Sequence, residues 1–255
     1  MKKCRVQIIF IVAVIALWEI VYRTGVFPEL MFPSIGSIMK SLWTGFAEDE
    51  LAGMVGYSLS LILRGLSIGI LLAFVLSSLS IISKTFHKIY NLLVSVFDLV
   101  PGVALIPLAI LWFGIGEGPI IFIVIHSIIW PMSRSIIDGF QSVPKIYIES
   151  GKNLGLSKFE MVKDIYLPAS FSNVLSGMKI GWARAWRGLI SAEMIFGTTS
   201  AGAGIGWFIF MKRTNVDIAG VFAALIVIIL IGIIVEYGFF RVIEKNTIKK
   251  WGIRQ

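Results

Sequence analysis

Several ionisable side chains lie inside long apolar runs of this sequence, where a charge needs either a partner or a function. A charge at the centre of a bilayer costs several kcal/mol, so such residues mark ion pairs between helices or a polar pathway. Arg184 and Arg187 are three apart and therefore share one helix face. They either form a basic lining that attracts an anion or pair with Asp98, Glu193 or free carbonyls, and we favour pairing. The full set is Arg64, Asp98, Lys179, Arg184, Arg187 and Glu193.

No pattern of nucleophile, metal ligands or phosphate-binding glycines occurs in the chain. The glycine-rich stretch 197–206 fails G-x-G-x-x-G because Trp207 occupies the final position, and no G-x-x-x-x-G-K-[ST] is present. His87 and His126 match no ligand spacing, and we expect His126 to be a hydrogen-bonded core residue. The sequence therefore predicts no catalytic residue, no metal site and no cofactor of its own.

The composition requires a membrane. The chain has 255 residues, of which 57% are hydrophobic and 15% are charged, whereas soluble domains average roughly 25% charged residues. A soluble fold of this size could not hide so much apolar surface, but apolar runs of about 17–25 residues can cross a bilayer. The sequence predicts an all-α membrane protein with six transmembrane helices: Val6–Tyr22, Ser58–Ile82, Ile89–Phe113, Pro119–Ile137, Ser172–Phe196 and Val216–Phe240.

The net charge of +8 reflects membrane orientation. If the amino terminus is inside, fifteen lysines and arginines lie on the cytoplasmic side, and only Arg23, Lys40, Lys212 and Arg213 lie on the other side. This asymmetry is the one that orients membrane proteins. It predicts a multi-pass membrane protein with both termini in the cytoplasm, and it argues against a nucleic-acid partner.

The predicted spans divide the chain into three parts. Residues 1–57 hold the first span, retained rather than cleaved, and an external amphipathic connection that lies on the membrane or packs on the protein. Residues 58–240 form a five-helix core, and residues 241–255 a basic cytoplasmic tail. Pro101 and Pro107 in the third span and Pro131 in the fourth should kink or break those helices.

The most polar stretch, residues 149–168, connects the fourth and fifth spans on the predicted cytoplasmic side. Its pattern predicts a short helix broken at Gly155. A second helix from Ser157 to Leu167 begins with the capping-box pattern S-x-x-E, completed by Glu160, and ends at Pro168. Two short helices with polar outer faces are suited to docking a soluble partner.

This stretch resembles the loop E-A-A-x-x-x-G-x(9)-I-x-L-P of ATP-binding cassette (ABC) importer permeases. The sequence departs from the pattern at Ser150 and Gly151, two small residues in place of the two alanines. The segments 99–124 and 192–197 and the second span are also similar to the nitrate, sulfonate and taurine subgroup of these permeases, so the resemblance extends from about Ser58 to the carboxyl terminus. The loop residues to which the resemblance assigns ATPase coupling are Glu149, Ser150, Gly151, Gly155, Leu156, Ile165, Leu167 and Pro168.

The resemblance implies a type I ABC importer (MetI-like) permease fold in the bacterial cytoplasmic (inner) membrane. It also implies two cytosolic ATPase subunits that bind ATP and Mg²⁺, an external substrate-binding protein and a second permease copy, most simply as a homodimer. Residues 143–168 would form the cytoplasmic coupling loop, with the coupling helix at Val143–Leu156. The chain would then be a transport subunit and not itself an enzyme.

The implied cargo is a small solute, and the two arginines favour an anion such as a sulfonate, taurine or nitrate. A vitamin or pyrimidine precursor is the alternative cargo within the same type of permease. An ion-coupled secondary transporter and a membrane-anchored scaffold are the alternatives of other classes, and the loop motif argues against both.

Overall fold

The computed structural model describes residues 2–199 and 201–247, which are mostly helical and include no strand. The predicted all-α class is confirmed. Short 3₁₀ and π segments, Gly102–Leu105, Met161–Tyr166 and Ile234–Phe240, interrupt the α-helices. The α-helices are α1 (Lys2–Arg23), α2 (Ile35–Ala47), α3 (Leu51–Ile82), α4 (Lys84–Phe97), α5 (Ile106–Phe113), α6 (Glu117–Gln141), α7 (Lys145–Asn153), α8 (Lys158–Glu160), α9 (Leu167–Ala169), α10 (Phe171–Phe196), α11 (Ile205–Thr214), α12 (Ile218–Ile233) and α13 (Arg241–Asn246).

The described helices are compatible with six membrane crossings. Four are long and apolar enough by themselves, and α4 with the segment Gly102–Phe113 makes a fifth if this bent pair is one span. The remaining predicted span corresponds to α10, whose 26 residues are long enough to cross but include four of the ionisable residues. The four apolar helices are Arg5–Arg23, Leu51–Ile82, Glu117–Gln141 and Ile218–Asn246.

The third predicted span is broken at its first proline. Its two halves meet at 93°, and Pro101 between them has extended backbone and no N–H with which to continue a helix. Pro107 lies in the first turn of α5, where a missing N–H removes no intrahelical bond. Pro131, in contrast, lies inside α6, which continues through it unbroken.

The centre of the fold is α6, which packs along α3 on one side and α10 on the other. Glycines allow this close approach. A Cβ at Gly69 of α3 would overlap Ile128 of α6, and one at Gly181 of α10 would overlap the same isoleucine. A Cβ at Gly177 would lie 2.7 Å from that of Ser135. The three helices are therefore interlocked through small residues, a common way to pack membrane helices.

The connection after α1 packs against the rest of the fold, mainly against α12. Ser34 caps α2 by accepting a hydrogen bond from the N–H of Ser37 at 3.0 Å. α2 contacts α12 and buries Ile38, while Trp43 remains exposed on its other side. The amphipathic helix thus has one face on the protein and keeps apolar side chains exposed on another.

A charged cluster joins the turn before α3 to the turn before α12. The ammonium of Lys212 lies 2.8 Å from a carboxylate oxygen of Asp49 and 3.1 Å from one of Asp217. Partial burial alone would lower the pKa of Lys212, but the two carboxylates outweigh this effect and raise its pKa above the ordinary value. Lys212 therefore stays charged and ties the two turns together.

The basic tail expected at 241–255 begins as α13. Residues 248–255 of that prediction lie outside the described residues.

The α6–α10 contact yields a stability prediction. A Cβ at Gly139 would lie 2.7 Å from the Cβ of Asn173 and 2.9 Å from that of Ser170, and neither Cβ can move without its backbone. Gly139→Val should therefore destabilise the protein by about 1–3 kcal/mol and lower the thermal unfolding midpoint in detergent. Gly232→Val is the control, because a Cβ there meets no atom within 4 Å. Equal midpoints for the two variants would contradict this packing.

Candidate functional site

The predicted break in the loop of residues 143–168 is a glycine-terminated helix end. Gly155 follows α7 with φ of +74°, a conformation that strongly favours glycine. The N–H of Leu156 donates to the carbonyl of Gly151 at 3.1 Å, and the N–H of Gly155 donates to that of Lys152 at 3.0 Å. This pair of bonds is a Schellman motif. The prediction of a short helix broken at Gly155 is confirmed.

The second half of the loop begins with the predicted capping box. The N–H of Glu160 donates to the Ser157 hydroxyl at 3.3 Å, and the N–H of Ser157 donates to the Glu160 carboxylate at 2.8 Å. The Ser157 side chain, and after it the Ser157 backbone N–H, lower the pKa of Glu160 below its ordinary value. The carboxylate therefore stays ionised and keeps the turn closed at neutral pH.

The predicted end of this second helix at Pro168 is wrong. The chain continues as the π segment Met161–Tyr166 and then as α9, so that Pro168 lies within α9 and the turn comes at Ser170. The N–H of Leu167 donates to Val162, five residues back. A π turn is wider than an α turn, and it accommodates the proline ring that would otherwise clash with the carbonyl four residues before it.

The departure at Gly151 brings the two halves of the loop together. A Cβ there would lie 2.6 Å from the sulfur of Met161 and 3.3 Å from a side-chain carbon of Ile165. Gly151 is buried in α7, whereas Ser150 beside it is exposed and donates its hydroxyl to the carbonyl of Ile146 at 2.8 Å. An alanine at 151 would need Met161 to shift, so the glycine fits this packing.

Most of the loop residues assigned to coupling are exposed or partly buried. Glu149, Gly155 and Pro168 are exposed, and Leu156, Ile165 and Leu167 are partly buried. Sequence reasoning missed the exposed apolar side chains beside them, although their apolar type within a polar stretch was the available signal. These are Ile146, Tyr147, Leu154 and Phe159. We call these four residues, together with Glu149, the loop surface.

The intramembrane charges are mostly paired. Asp98, at the break after α4, accepts a hydrogen bond from the guanidinium of Arg184 and lies 3.5 Å from that of Arg134. Arg64 of α3 forms a bidentate ion pair with Glu117, in which its two terminal guanidinium nitrogens lie 2.7 and 3.2 Å from the carboxylate oxygens. The sequence offered no prediction for Glu117, since it lies at the edge of its span.

Glu193 has hydroxyl and amide donors instead of an arginine. Its carboxylate accepts from the Ser58 hydroxyl at 2.7 and 2.9 Å and from the N–H of Gly206 at 2.9 Å. The Ser58 hydroxyl also accepts from the N–H of Ile205 at 2.9 Å. The buried carboxylate thus holds the start of α11 against α3 and α10. Ser58 was not foreseen, because 135 residues separate it from Glu193.

A cavity of about 270 Å³ lies where the broken span meets α6 and α10. Asp98, Arg184, Arg187, His126 and Trp130 line it. Arg187 donates its Nε to the carbonyl of Ala183 at 3.0 Å, and the described residues show no carboxylate paired with it. His126 is buried as expected, but neither of its ring nitrogens has a hydrogen-bond partner within the described part of the chain, so the expected hydrogen bond is absent.

Within the described residues no group of three or more His, Cys, Asp or Glu side chains is placed to hold a metal ion. The candidate site consists of the loop surface, the paired charges and the cavity.

Comparison with known proteins gives a family match. The profile of the family described as "Binding-protein-dependent transport system inner membrane component" matches residues 65–249. A putative ABC transporter permease protein of Methanocaldococcus jannaschii is 30% identical over 162 residues, which are 64% of this chain and 60% of that relative, less than two thirds of its length.

Two Escherichia coli proteins match over most of their length. The taurine transport system permease protein is 26% identical over 229 residues, 88% of this chain and 82% of the relative. A putative aliphatic sulfonates transport permease protein is 28% identical over 221 residues, 87% of this chain and 82% of the relative.

The helix end at Gly155 gives a prediction for loop order. Gly155→Val should strain the left-handed residue by about 1–2 kcal/mol and open the two Schellman hydrogen bonds. Amide hydrogen exchange in residues 151–156 should then accelerate, while exchange in α6 stays as in the parent protein. Lys152→Val is a matched control, since it adds the same side chain at an exposed helical position. Unchanged exchange in Gly155→Val would contradict the assigned role.

Proposed function

This chain belongs to the family of binding-protein-dependent transport system inner membrane components, and we propose that it forms the translocation pathway of an ATP-driven importer for a small organic anion. The family is one of membrane permeases rather than enzymes, and its name implies a binding protein as partner. The names of two relatives, for taurine and for aliphatic sulfonates, support an anionic cargo. A vitamin or pyrimidine precursor is the alternative cargo.

The observation that carries this proposal is the loop surface. Leu154 is 78% exposed, Phe159 73% and Ile146 63%, although the segment containing them is otherwise polar. Exposed apolar side chains grouped on an ordered element mark a protein interaction site. We propose that this surface docks in a groove of a cytosolic ATPase subunit, with residues 143–156 as the coupling helix and Glu149 and Gly155 as its matched positions.

The docked loop has a direct path to the membrane helices. α9 leads through Ser170 into α10, and the loop contacts both α6 and α10. We propose that ATP binding draws two loops together, one from each of two permease copies, and that the helices then open the pathway towards a loaded external binding protein. Hydrolysis returns it inward. Both termini lie in the cytoplasm in this arrangement, which leaves the loop on the ATPase side.

The parts of the chain take their roles from this mechanism. Residues 58–240 form the permease core, residues 1–57 add a peripheral span with its external helix, and residues 241–255 form a basic tail facing the ATPase side. Arg64, Asp98 and Glu193 hold the core together through the partners described above, and Arg184 acts with Asp98.

Uptake in reconstituted vesicles tests the function. The permease, its ATPase and its binding protein should accumulate taurine or methanesulfonate only when ATP is supplied on the ATPase side. Accumulation of a pyrimidine precursor but of neither sulfonate would support the alternative cargo. Uptake driven by an ion gradient without any ATPase would instead show a secondary transporter and contradict the proposal.

Docking is tested by substitutions on the loop surface. Leu154→Asp and Glu149→Lys should lower copurification of the ATPase and transport-coupled ATP hydrolysis at least tenfold, because each places an unfavourable charge in the interface. Both side chains are exposed, so the thermal midpoint of the permease should stay unchanged. Val242→Asp, at an exposed position outside the loop, is the control. Full coupling in both loop variants would exclude this surface as the docking site.

A further inference from the structure

The cavity beside the broken span is unusual because its charges do not balance. Asp98 is the one carboxylate among the described residues that line it, and two guanidinium groups, Arg184 and Arg187, line it as well. Asp98 is already paired with Arg184 and lies 3.5 Å from Arg134, which stands behind it. Arg187 therefore leaves an excess positive charge at the cavity wall.

Two residues that line the cavity have buried polar atoms without partners. His126 is 7% exposed, and both of its ring nitrogens lack a hydrogen bond among the described residues. The indole N–H of Trp130 is likewise buried and unpaired. Buried polar groups are nearly always hydrogen-bonded in folded proteins, so two such side chains on one cavity wall indicate a missing acceptor. A neutral imidazole and an indole can each donate one hydrogen bond.

Two glycines open the space in front of these groups. A Cβ at Gly188 of α10 would lie 2.9 Å from the Ser127 hydroxyl, and one at Gly102 would lie 3.1 Å from it. Any larger residue at either position would crowd the wall that holds Ser127 and His126. The resulting volume, about 270 Å³, is slightly below the range of roughly 300–1,000 Å³ typical of drug-sized ligands. It suits a small ion.

We propose that this cavity is a binding site for one small oxyanion of the sulfonate class inside the permease. Arg187 supplies the charge, and Trp130 and His126 donate hydrogen bonds to the remaining oxygens. Arg184 instead neutralises Asp98, which would otherwise repel the anion. The inference rests on the proposed function, since it places the cargo class at a specific point of the membrane domain.

This arrangement separates the two arginines that the sequence could not distinguish. Arg184 is a positioning residue that acts through Asp98 at the helix break. Arg187 touches the ligand. Removing either arginine changes the net charge of the cavity by the same amount. Only the removal of Arg187 leaves the Arg184–Asp98 ion pair intact.

Direct binding to the permease–ATPase complex tests the site. The complex is placed in phosphatidylcholine nanodiscs without binding protein and titrated with methanesulfonate, with tryptophan fluorescence and calorimetry as readouts. Saturable binding of methanesulfonate is expected, with none of dimethyl sulfone, which has a similar shape and no charge. Arg187→Gln should weaken binding about tenfold or more, as expected for losing one charged hydrogen bond. Arg187→Lys should recover part of the loss, and Arg213→Gln should bind as the parent does.

The outcomes decide whether a sulfonate, a lipid headgroup or neither occupies the cavity. No saturable binding, or equal affinity in Arg187→Gln and the parent, overturns the proposal. A parallel titration with short-chain phosphatidylglycerol tests a lipid headgroup as the source of the oxyanion. Arg187-dependent binding of that lipid without binding of methanesulfonate also overturns it. Binding of methanesulfonate together with failure of all ATP-driven uptake would instead contradict the proposed function and leave the site standing.

Discussion

The structure depends on one constraint, that a charge placed among apolar helices needs a partner, and the described residues supply one for most of these charges. No water is present in the hydrocarbon core to solvate an isolated carboxylate or guanidinium. Asp98 meets this constraint at the point where the third span breaks, because arginines from α6 and α10 both reach it. Glu193 meets it with a serine hydroxyl and a backbone amide. These pairings fix which helices are neighbours, and the apolar packing fills the space between them.

The glycine contacts and the charge pairs serve the same helices in different ways. Glycines let α3 and α10 approach α6 so closely that side chains could not pass between them. Charge pairs then fix how far each helix can slide, since a guanidinium displaced by one turn loses its carboxylate. The cavity lies where this close packing is interrupted by the bend in the third span. A polar space within so apolar a fold is therefore a consequence of the broken helix.

Local features were predictable from the sequence, and features that join distant residues were not. The end of α7 at Gly155 and the capping box at Ser157 follow from hydrogen bonds within six residues, so residue types alone reveal them. The bend at Pro101 was expected for the same reason, but its angle depends on α6 and α10. Arg184 had Asp98 among its candidate partners, whereas Glu193 took Ser58 and the start of α11, which no spacing could indicate. Pro168 was misread because a π turn accommodates it, and a π turn leaves no clear signal in residue types.

The interlocked helices also determine how mechanical work travels through the protein. A single residue, Ser170, separates α9 from α10. Glycine contacts hold α10 against α6 over most of its length. A push on α9 would therefore move α6 and α10 together. Compliance is left to the segment between α4 and α5, where a short 3₁₀ turn replaces the α-helix. Strain applied at one membrane face would thus concentrate beside Asp98.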